Sequence, residues 1–165
     1  MDLSKLSTAD KVISGSAIGL FIFMFFDWFE VSFGGSSDVF SASAGGNGFD
    51  VGFIWGVFPM LLGFLMLAIV ALRAFSPDTD LPDLPFSYGR LLLGLGGLAG
   101  FLVTLKLIIG EDDEGIPGIE ISRQFGLFAA TLFAIGLGVG GFLKMQEDDG
   151  ASSTDGGTAG GTAGF

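Results

Sequence analysis

No cysteine and no histidine occur among the 165 residues. The first absence excludes disulfides, thiolate metal sites and cysteine nucleophiles. The second removes the commonest general base and metal ligand. Charge is scarce as well: 15% of residues carry one, against roughly a quarter in soluble domains. Only 7 residues are lysine or arginine, and the net charge is −11. Without a basic patch, nucleic acid is not expected as a partner, nor are anionic lipid headgroups as a main one. An enzyme is not expected either, and no metal or cofactor is.

What the chain has in quantity is apolar length. Half of its residues are hydrophobic and its mean hydropathy is +0.69. Four apolar segments lie at about 10–30, 51–73, 90–110 and 124–144. A hydrocarbon core of about 30 Å takes roughly 20 helical residues to cross. The expected fold class is therefore an all-α membrane protein, a four-helix transmembrane bundle set in a lipid bilayer. The first segment is the least clean, reaching full length only by running through Asp27 and Trp28 toward Phe33. A cleaved signal peptide is a poorer reading, because Ala42-Ser43-Ala44 lies well past the apolar run. Ser7 and Asp10 have capping-box spacing at the first helix start, and Pro59 should bend the second span.

Lysine and arginine set orientation in membrane proteins. Lys5, Lys11, Arg73, Arg90 and Lys144 fall on one side, with Arg123 and the end of Lys106 on the other. Both termini are expected in the cytoplasm, with Trp28 and Trp55 near the outer boundary. In the first outer loop Val31–Phe33 and Val39–Ala42 alternate around Gly34-Gly35-Ser36-Ser37, the pattern of a short β-hairpin. A flexible Gly/Ser loop is the other reading. Pro77, Pro82 and Pro85 make the cytoplasmic loop a stiff connector. Residues 147–165 open with Glu147-Asp148-Asp149 and repeat GGTAGGTAG, a composition expected to form a disordered acidic, Gly-rich tail.

Few residues remain to carry a site. Gly126, Ala130, Ala134 and Gly138 form a four-residue-spaced row of the kind that lets membrane helices approach closely, with Gly136 and Gly140 beside it. Gly96 with Gly100, and Gly15 with Gly19, are shorter versions. Such faces would receive a neighbouring helix, a protein partner or a second copy. Glu111, Asp112, Asp113 and Glu114 form an outer acidic cluster without calcium-loop spacing, a solvated turn or a dock for a basic partner. Gly94 to Ala99 fits G-x-G-x-x-A, but a phosphate fingerprint has no use in mid-membrane. Lys106 lies about one turn before the acids. If the Gly94, Gly97 and Gly100 face packs inward, Lys106 points elsewhere and its ammonium snorkels to the interface to meet the acids at 111–114; the alternative is an intramembrane pair of Asp27 and Lys106.

The opening LSKLSTADKVISGSAIGLFIFMFFDWFEVSF resembles small four-span membrane proteins of actinobacteria, mostly uncharacterised. Shared features are the short lysine-bearing lead, the phenylalanine-rich first span ending in Trp-Phe, and a small polar outer loop. Asp27 stands where those proteins more often have proline. The resemblance implies the layout and a bacterial plasma membrane, and no activity. The expected role is a non-enzymatic accessory subunit or small scaffold of a membrane complex. The alternative is a small oligomeric transporter or channel subunit using Asp27, Lys106 and Glu30.

Overall fold

The computed structural model describes residues 6–34, 41–75, 87–111 and 118–155. The proline-rich connector, Val39 and Phe40 of the expected hairpin, Asp112 to Glu114 and the last ten residues of the chain lie outside them. The helices are α1 (Thr8–Phe23), α2 (Phe58–Phe75), α3 (Tyr88–Ile109) and α4 (Phe125–Asp155). The strands are β1 (Asp27–Gly34), β2 (Ser41–Asn47) and β3 (Ile119–Arg123).

Three helical segments are long and apolar enough to cross a membrane: Phe53–Phe75, Tyr88–Ile109 and Phe125–Ala151. The first helix is not among them. Its 16 residues rise about 24 Å at 1.5 Å each. The expected helix through residue 30 is wrong, because at Asp27 the chain turns into a strand. The reason lies in β1 itself, which pairs on both edges. The sheet order is β2-β1-β3, antiparallel throughout. Phe33 lies opposite Ala42 on one side and Ile119 on the other. A hairpin pattern is legible in the first loop, but β3 comes from about ninety residues later and was not anticipated.

A register shift between Asp27 and Phe29 turns Trp28 into the bundle, as bulges re-aim side chains. Its ring is fully buried, and its Nε1 donates to the Phe23 carbonyl at 2.9 Å, one of the carbonyls that a helix end leaves open. Trp28 is thus a plug in the core at the sheet end. In the second span the break takes the form of a π-helical turn, Phe53–Val57, ahead of Pro59. Proline crowds the carbonyl four residues back, and a wider turn accommodates that.

The core runs between the helices through Ile13, Leu20, Met66, Leu92, Val103 and Leu137, closed at the sheet end by Trp28 and Phe29. α4 is the hub. Ile13, Ser16 and the Gly19 backbone meet it at Gly140, Gly136 and Phe133, in antiparallel order along α1. The backbones of Gly89, Gly96 and Gly100 on α3 meet it at Met145, Leu137 and Ala134. Outside the bundle stand Ile18, Phe64, Leu65, Phe101, Leu132 and Phe142, all exposed. Contiguous apolar surface on this scale marks contact with something other than water.

Candidate functional site

Polar chemistry collects at the two ends of the bundle. At the sheet end, Leu92, Gly96, Ala99, Val103 and Lys106 form the buried stripe of α3. Lys106 is therefore on the packed face of its helix. Of the face expected to pack instead, Gly94 and Gly97 have nothing within 4 Å of a Cβ built at either position, whereas Gly100 does pack, against the Ala134 carbonyl. The periodicity is right, but the packed stripe is rotated by about one residue.

The Lys106 ammonium donates to the Gly110 carbonyl at 3.1 Å and pairs with Glu111 at 2.5 Å. Rings of Phe29 and Trp55 lie 5.3 Å and 5.9 Å from it, close enough for a cation–π contribution. The pair is lopsided: the lysine side chain is 7% exposed and the glutamate 39%. Gly110 takes φ 77°, a left-handed C-cap suited to glycine, and this brings its own carbonyl and Glu111 back over the helix end. The structure thus joins Lys106 to the first residue of the acidic cluster. Asp27 is elsewhere, exposed at the start of β1, with its carboxylate over Gly45. Among the described residues no contact links it to Lys106. Glu30 accepts from Gln124 Nε2 at 2.6 Å, across the β1–β3 corner.

Arg123 also ends at this place. Its Nη2 donates to the Ile108 carbonyl at 3.1 Å. Both cations therefore serve the carbonyl end of α3, where the helix dipole favours positive charge. Among the described residues no three carboxylates converge as a metal site requires.

The small-residue row of α4 is divided among neighbours. Gly126 packs under the Asp27 carbonyl and Phe26, Ala130 and Ala134 are fully buried, and Gly138 lies beside Gly96 and Gly97. Gly136 and Gly140 take α1. These contacts are internal to one chain, so the row is already occupied.

The other end was not anticipated as a unit. Ser7 Oγ accepts from the Asp10 amide and Asp10 accepts from the Ser7 amide, a complete capping box. Lys144 of α4 pairs with Asp10 at 2.9 Å and with Glu147 at 3.2 Å. Glu147 then accepts from the Ala9 amide at 3.4 Å, and Asp148 accepts from the Gly89 amide at 2.8 Å. Two acids expected to begin a disordered tail instead cap the N-termini of α1 and α3, whose open N–H groups and dipoles attract carboxylates. Residues 147–155 continue α4. The signal in the sequence is an acid run that begins three residues after Lys144, a lysine that ends an apolar run.

Loss of a cap costs about 1 kcal/mol. Truncation after Met145 should therefore lower stability in detergent by about 2 kcal/mol, and truncation after Ala151 should not. Equal melting temperatures for the two truncated chains would contradict the capping role of Glu147 and Asp148.

No protein-family model matches the chain, and comparison with curated proteins gives no match.

Proposed function

We propose that the chain is a non-enzymatic four-span protein of a bacterial plasma membrane that serves as an accessory or scaffold subunit of a larger membrane complex. The observation that carries this reading is where the interior charge goes. Lys106, the only charge within residues 51–72, 91–109 and 125–143, is spent on Glu111 and the Gly110 carbonyl, while large apolar side chains cover the exterior. An interior tied up in structural contacts beside an apolar exterior favours a protein that works through its surface. The fourth span is α1. It runs beside α4 from Asp10 at Lys144 to Gly19 at Phe133, which supports a shared depth. The resemblance of the opening residues to small actinobacterial membrane proteins supports the bacterial setting. Transport through an oligomer is the second reading, and the burial of Lys106 is what favours it, since intramembrane ionisable groups mark pathways by default.

Purification from native membranes in mild detergent tests the proposal. Stable co-purifying proteins of other sequence are the expected result. A pure homo-oligomer that passes ions in liposomes would replace the scaffold with the transporter. Orientation has its own check. With Arg73, Arg90 and Lys144 facing the cytoplasm, a C-terminal tag should survive protease added to intact spheroplasts. Its digestion from outside would reverse the topology.

A further inference from the structure

Between α3 and α4, on the exposed side, lies an apolar groove of about 400 Å³. Leu93, Phe101, Ile135, Val139 and Phe142 wall it, and glycine forms its floor. A second trough of about 320 Å³ shares Gly97, Gly100 and Phe101 with it and continues past Thr104 and Leu105 to Ile108. From Leu93 to Ile108 the helix rises roughly 22 Å at 1.5 Å per residue. That exceeds the roughly 15 Å depth of one leaflet's hydrocarbon. At the outer end stands Arg123, hydrogen-bonded to the Ile108 carbonyl.

We propose that this groove binds one acyl chain of an outer-leaflet phospholipid whose phosphate is held by Arg123. The proposal rests on the four-span reading, with the sheet end outside. Three observations select this occupant. First, the groove is narrow. It is an open trough of about 400 Å³ along the roughly 12 Å of α3 from Leu93 to Phe101. A single hydrocarbon chain lies along the full length of such a trough, whereas the helix of a second copy would enter it only with side chains. Second, the mouth carries the complementary charge. A guanidinium has five donors, and among the described residues Arg123 uses one of them, on a carbonyl. Glu111 is engaged by Lys106, and Glu120 projects from the opposite face of β3 by strand alternation. Third, the floor is open where a chain would lie: a Cβ at Gly97 meets no atom within 4 Å. Arginine at the headgroup level with an apolar trough below it is the arrangement that a phosphate joined to a fatty chain requires.

The test uses full-length protein, delipidated in detergent and titrated with dioleoyl-phosphatidylglycerol under native mass spectrometry, with dioleoylglycerol as the phosphate-free control. One phospholipid per chain is expected, bound about tenfold more tightly than the control, the scale of one charge-assisted contact. Arg123→Gln should abolish that preference. Gly97→Leu, which fits the fold and fills the groove, should weaken both lipids about tenfold or more. Undiminished binding to Gly97→Leu, an unchanged preference in Arg123→Gln, or a dimer that Gly97→Leu dissolves would each overturn the proposal. Failure of the underlying reading looks different: a chain released from membranes by alkaline carbonate is not embedded at all. An embedded chain that retains no lipid ends only the groove proposal.

Discussion

Replacing Gly96 with leucine is expected to unfold the bundle in detergent or lower its stability by about 3 kcal/mol, while the same change at Gly97 is expected to be tolerated. The two residues are adjacent and chemically identical, so the contrast isolates packing. A Cβ at Gly96 would lie 2.8 Å from the Gly138 amide nitrogen and closer still to the Leu137 carbonyl. Those are backbone atoms of α4, which cannot rotate aside as a side chain does. α3 and α4 would have to part, losing contacts along a seam that also includes the close approach of Gly141 to the Leu92 carbonyl. Overpacking a core costs about 1–3 kcal/mol and occasionally more. A whole isobutyl group against two backbones belongs at the top of that range. At Gly97 there is open space, and removing a glycine from a helix interior even favours the helix by about 0.8 kcal/mol. Thermal unfolding of the two variants decides it. Equal melting temperatures would mean that α3 is rotated from the position described.

The second large effect is expected at Glu111, not at Lys106. Removing one partner of a buried ion pair costs about 3–5 kcal/mol, because it strands the other charge. Here the partners differ in exposure, 7% for lysine and 39% for glutamate. Glu111→Gln leaves an ammonium enclosed by Phe29 and Trp55 with a carbonyl for company, and should cost about 2–3 kcal/mol, the pair being partly wet. Lys106→Met leaves a carboxylate that water still reaches, and its unbranched side chain fills the same apolar space. Its cost should stay near 1 kcal/mol. The double variant should then match Lys106→Met alone, giving a coupling energy of about 2–3 kcal/mol in a double-mutant cycle. A parallel cycle of Lys106→Met with Asp27→Asn should show less than ~0.5 kcal/mol, since those side chains do not meet. Strong coupling to Asp27 and none to Glu111 would restore the Asp27–Lys106 pair.

Long apolar runs declare themselves without knowledge of neighbours, because a bilayer-spanning helix satisfies its own backbone. The segments that became α2, α3 and α4 were therefore legible, as was the capping box at Ser7 and Asp10, whose two partners sit one turn apart. The outer strand pattern around Val31–Phe33 was legible for the same local reason. β3 was not. Its five residues, IEISR, alternate apolar and polar, but the run is too short to stand out beside an apolar span, and they become a strand by pairing with β1 far back in the chain. The end of the first helix was misplaced for the matching reason: Asp27 to Glu30 join the sheet only because both edges of β1 find partners. Glu147 and Asp148 read as the start of a disordered tail, since glycine-rich acidic sequence has little helical preference. Tertiary structure overrides this by bringing the open N-termini of α1 and α3 within reach of their carboxylates. The glycines show the same division. Composition marks the helix from Gly94 to Gly100 as one that approaches something closely. Whether Gly96 or Gly97 touches it depends on a helix rotation of about 100° per residue, and only the backbone of α4 determines that rotation.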